Sequence, residues 1–207
     1  MQPRVPLLCL IAVALAATSR VPAHAADPRY PDWPCAQAKV PELSVAAVWD
    51  GPPIDGVGDT WKDDPKLRDL VVRLAARRTP LEDAQKAAAD FVGAAGGDKS
   101  AKAKLLFAGL FAELNQQRVE VMDGIDRIAQ KEKELAETVR SDRAELGTLQ
   151  DSQNPDQNQI DELSNRLQWG TRIFEERRKT IRYVCEVPTA IERRLFALGR
   201  AIAQAVE

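Results

Sequence analysis

Five acids stand close together in the N-terminal third of the chain, Asp50, Asp55, Asp59, Asp63 and Asp64. Oxygen ligands of this kind suit calcium, yet Asp55-Gly56-Val57-Gly58-Asp59 lacks the alternating ligands and the closing bidentate Glu of a calcium loop. Asp beside Gly and Pro also makes turns and caps. Asp55 and Asp59 therefore remain only as cation candidates, and no metal or other cofactor is expected. Trp33, Trp49 and Trp61 lie in the same stretch. They could line a small-ligand cleft, but in a chain this poor in aromatics their expected work is to anchor irregular backbone to a helical face.

Nucleophilic and acid–base chemistry is thinly supplied. His24 is the single histidine and precedes Ala25, at the end of a segment that reads as a signal peptide. Arg4 gives a short positive start, Val5 to Ala17 is apolar apart from Pro6, and Ala23-His24-Ala25 offers small residues for cleavage before Ala26. The apolar run is shorter than the roughly 20 residues of a membrane-spanning helix. Export as a free protein is expected, to the periplasm or beyond, with no stable membrane insertion. The mature chain would hold no histidine, which removes imidazole bases, His-dependent triads and His-ligated metals together. It would keep Cys35 and Cys185 of the three cysteines, and an even pair in an exported chain reads as one disulfide. No nucleophile–base constellation is visible, so no enzymatic activity is expected. The net charge of −2 with interspersed signs offers no basic field for nucleic acid.

The elements that must position these residues follow from hydrophobic spacing. Phe107, Phe111, Leu114, Arg118, Val121, Ile125, Ile128, Glu132, Leu135, Val139, Asp142, Leu146 and Leu149 keep alternating steps of four and three. That is the seam of a coiled-coil helix. A second seam runs from Ile160 through Leu163, Leu167, Gly170, Phe174, Arg177, Ile181 and Val184, then Pro188, Ile191, Leu195, Leu198 and Ile202. The polar stretch 151–159, with Asn154-Pro155 at its centre, is the turn between them. Folding the chain there sets Leu149 opposite Ile160, Val139 opposite Gly170, Ile128 opposite Ile181 and Phe107 opposite Ile202. It also sets Glu132 opposite Arg177, a charged pair that fixes register. Arg118 and Asp142 lack an obvious partner in the seam, although Arg118 comes within reach of Glu192 or of the N-terminal segment.

The expected fold is all-α: a long antiparallel helical hairpin of helices 101–150 and 160–206, the second kinked at Pro188. Two short helices within 65–97 join it, opened by Asp64-Pro65 and by a Thr79-Pro80-Leu81-Glu82 capping box with Leu81 turned inward. Ser100 caps the long helix. Residues 26–64 form an irregular Pro/Gly/Asp/Trp strap stapled through Cys35. Strap and short helices should pack near the base, leaving the region around 135–170 to project. Trp169 stands there among charges and is the expected partner contact.

The layout of export signal, stapled strap and long hairpin resembles in outline the helical hairpins of envelope adaptor proteins, without the β-rich flanking domains those carry. Function is expected to lie in protein–protein contacts, as an adaptor, accessory subunit or holdase-like factor with a protein partner in the cell envelope. Homo-oligomers are compatible with this. The alternative is a small-ligand or divalent-cation-binding periplasmic protein using the strap.

Overall fold

In the computed structural model, residues 27–207 are described, and the segment expected to be a signal peptide, with His24, lies outside them. Two helices dominate: α3 (Lys99–Gln150) of 52 residues and α4 (Gln157–Val206) of 50. At 1.5 Å per residue each is roughly 75 Å long. They run antiparallel in the expected register. Glu132 meets Arg177, Ile128 and Ile181 line one groove, and a Cβ on Gly170 would fall 3.2 Å from Val139 Cγ2. The turn is shorter than its polar sequence suggests, because Asp156 accepts from the amides of Asn158 and Gln159 and starts α4 early.

Two short helices precede the hairpin, α1 (Pro65–Ala75) and α2 (Leu81–Gly93). Asp64 caps α1 as expected, accepting from the amides of Lys66 and Leu67 ahead of Pro65 at the first turn. The capping box of α2 does not form. Pro80 holds the cap position, and the Thr79 hydroxyl donates instead to the Arg73 carbonyl at 2.7 Å. Thr79 thus ties α2's start to α1's end, and Leu81 is left exposed. Nor does Ser100 cap α3: a 3₁₀ turn, Gly96–Asp98, leads straight into that helix at Lys99. Helix α4 runs unbroken through Pro188, which is buried. No strand occurs among the described residues.

The core sits at the hairpin base. Leu67, Leu70, Val71 and Leu74 of α1 and Ala84, Ala88 and Val92 of α2 pack with Leu106, Phe107, Leu110 and Leu114 of α3 and Ile191, Leu195, Leu198 and Ile202 of α4. The strap's later half completes it. Trp49 stacks on Phe107 with centroids 4.1 Å apart, and Trp61 is buried. Close approach is bought by two glycines. A Cβ on Gly109 would come 2.7 Å from Val71 Cγ2, and one on Gly199 would come 2.6 Å from the Val48 carbonyl oxygen.

Beyond this base the two helices bury the seam only in part, with Ile160 and Leu163 buried near the turn. Ile128, Leu135, Val139, Leu146, Leu167, Phe174, Ile181 and Val184 are only half-buried.

Candidate functional site

The strap lies along one side of the hairpin, on the residues that follow seam positions. Cys35 is bonded to Cys185, Cα atoms 5.5 Å apart. Lys39 pairs with Asp126 at 2.6 Å and Lys133 with Asp32 at 3.1 Å, while Met122 and Ala129 are buried on the same side. Two strap residues with aromatic faces form a cation site that the protein fills itself. The Lys39 ammonium stands 4.7 Å from the Tyr30 ring centroid and 5.4 Å from that of Trp33. Trp33 donates through Nε1 to the Gln37 carbonyl, and Gln37 donates to the Cys185 carbonyl.

The acids of the strap do not converge. Among the described residues no three His, Cys, Asp or Glu side chains are grouped as metal ligands would be. Asp59 faces Lys62 at 2.9 Å. Asp55 sits in a turn whose next residues include Gly56 and Gly58, with φ of 78° and 53°, so the Gly-Asp pattern serves backbone geometry.

The three charged positions of the α3 seam are each placed differently. Arg118 is 1% exposed. Its Nε donates to Glu192 Oε1 at 2.5 Å, Nη1 to the Pro41 carbonyl at 3.3 Å, and Nη2 to the Val40 carbonyl. Both partners anticipated for it, Glu192 and the strap, are therefore used at once. Asp142 has a partner that its sequence setting did not suggest. Arg166 donates to it bidentately at 2.9 and 3.0 Å, although its spacing from Glu162 invites a pair four residues apart on the same helix. Glu132 meets Arg177 Nη1 at 3.4 Å through Oε1, while its buried Oε2 has no hydrogen-bond partner among the described residues. An orphan carboxylate oxygen inside a seam is costly to leave unmade.

The Arg166 hydrogen bonds hold the Asp142 carboxyl below the usual range, with the guanidinium charge adding to them. A lowered folded-state pKa contributes stability above the ordinary carboxylate range and loses it as pH falls through the lowered value. The pair should therefore stay intact to lower pH than an ordinary aspartate would allow. In Arg166→Gln the Asp142 titration, followed by its carboxyl carbon NMR shift, should move back up toward the ordinary range. An unmoved titration would mean that Arg166 does not set it.

The opposite side of the hairpin consists of residues that precede seam positions. At the base the short helices cover it. Gln85 of α2 donates to the Ala197 carbonyl at 3.3 Å, and Arg194 donates to the carbonyls of Leu74 and Thr79 at 2.8 and 3.0 Å. Farther out it is bare. A groove of about 390 Å³ opens there, floored by Ile128, Ile181 and Val184 and edged by Lys131, Glu132, Glu176 and Thr180. Along α4 the bare side carries Trp169 at 61% exposure, Ile173 at 42% and Tyr183 at 78%. With Glu176 and Thr180 these recur at steps of four and three, so they form one stripe.

Trp169 was legible from sequence as an aromatic in a charged region. Ile173, Tyr183 and the orphan Glu132 oxygen were missed. The stripe at steps of four and three, one residue ahead of the seam, was the available signal. No protein-family model, no curated protein and no solved structure matches this chain. No described helix is long and apolar enough to cross a membrane.

Proposed function

We propose that this is an exported protein without catalysis of its own, working in the periplasm or outside the cell as an adaptor, accessory subunit or holdase-like factor. Its contact surface is the bare side of the projecting hairpin. The observation that carries the reading is the stripe Trp169, Ile173 and Tyr183, large apolar groups held in solvent next to a half-buried seam. Exposed apolar clusters beside polar rims are typical of contact sites, and tryptophan and tyrosine dominate binding energy where they occur. The Cys35–Cys185 bond supports an oxidising compartment, in keeping with the signal-like residues 1–25.

Capture from an envelope extract tests this, with wild type and Trp169→Ala as paired baits. The substitution removes a solvent-exposed side chain and should change folding stability by no more than about 0.5 kcal/mol. Partner recovery should nevertheless fall severalfold. Equal recovery by both baits would remove Trp169 from the contact surface.

A further inference from the structure

We propose that the occupant of the bare side is a second copy of this chain, lying inverted on the first so that the two projecting hairpins complete a four-helix bundle. The inference rests on the contact-surface reading above and names the partner. It begins with length. From Glu176 the bare side of α4 extends roughly 28 Å to the hairpin turn at residue 157 and about the same distance back to the residues that α2 covers, near Arg194. An inverted copy centred on Glu176 therefore brings its tip up to the other's α2 without overlap. A copy in the same direction would set α2 against α2, since both stand on the contacting side.

The side chains are complementary in the same arrangement. Inversion about Glu176 sets Trp169 of each copy against the partner's Tyr183, twice, and brings Ile173 to the level of the partner's Lys179, one residue short of Thr180. On α3 the centre falls between Lys131 and Glu134, so each exposed Lys131 meets the partner's Glu134, again twice. Glu132, whose buried Oε2 has no hydrogen-bond partner among the described residues, lines the groove beside this crossing. Glu176 approaches its own copy at the axis, but each already holds Lys179 at 2.9 Å. The half-buried Ile128, Phe174, Ile181 and Val184 gain the cover that two helices alone do not provide.

Sedimentation across a concentration series, with single-cysteine cross-linking of the full chain, tests the arrangement. Wild type should sediment as a dimer, and Glu176→Cys should cross-link to itself under mild oxidation. Lys131→Glu and Glu134→Lys should each weaken association about tenfold, and the double exchange should restore most of it, since each reversed charge then meets a reversed partner. A monomer throughout would overturn the proposal. So would a dimer in which Glu176→Cys links only to Glu134→Cys in a mixture, the signature of copies running the same way. A monomer that still needs Trp169 to capture an envelope protein would sink the second copy and leave the contact-surface reading standing. A dimer for which Trp169 makes no difference to capture would do the reverse.

Discussion

Replacing Arg118 with methionine is expected to cost about 3 kcal/mol of stability, roughly the lower end for breaking a buried ion pair. Methionine keeps much of the stem's packing but removes every donor. Glu192 then loses its guanidinium, and the carbonyls of Val40 and Pro41 lose the groups that satisfy them. The cost sits at the lower end because Glu192 is one-third exposed and can recover water. A domain of this size should show it as a fall in melting temperature of roughly 6–12 °C. Adding Glu192→Gln should recover part of the loss, because it removes the abandoned charge without emptying the site. If the double variant is as unstable as the additive expectation, Arg118 and Glu192 are not coupled. Amide exchange supplies a second readout. Protection should fall first around Val40 and Pro41, the two strap residues whose carbonyls Arg118 holds.

Arg118 also shows where a sequence speaks and where it falls silent. Heptad spacing exposes both long helices, their antiparallel register and the base, because periodicity is a property of one residue type along one chain. It registers Arg118, Glu132 and Asp142 as interruptions for the same reason. What satisfies an interruption is three-dimensional. The strap reaches Arg118 only because the chain from Asp27 to Trp61 follows one side of the hairpin, and no spacing rule encodes that course. Asp142 illustrates the limit from the other direction. A same-helix pairing of Arg166 with Glu162 is visible in sequence, but the guanidinium crosses to α3, where a bidentate acceptor is available. Local capping rules met similar competition. Asp64 followed them, whereas Thr79 found a better acceptor in the end of α1. The bare side required both pieces of information. Its stripe is periodic, yet it becomes a candidate site only once the short helices are seen to cover the same side at the base and the strap to cover the other side around Cys185.

Loss of the disulfide is expected to be the most damaging single covalent change. Cys35→Ser with Cys185→Ser should lower global stability by roughly 2–5 kcal/mol, the range for a native bond closing a long loop. The effect should be uneven along the chain. No residue from Asp27 to Ala47 is fully buried, and ahead of Leu43 and Val45, which pack on the core, the strap without the bond rests on polar contacts: Lys39 with Asp126, Lys133 with Asp32, and the carbonyls held by Arg118. Exposed ion pairs of this type contribute little each. Residues 27–39 should therefore become open to protease and exchange freely, while Val48 to Trp61 stays protected by Trp49 on Phe107 and by the buried indole of Trp61. Combining the cysteine pair with Arg118→Met should cost less than the two separate losses together, because an already detached strap has nothing more to surrender at Arg118. Unchanged protection of residues 27–39 in the disulfide-free protein would show that the strap is held by its polar contacts alone, and would move the origin of its order from the covalent staple to Arg118 and Lys39.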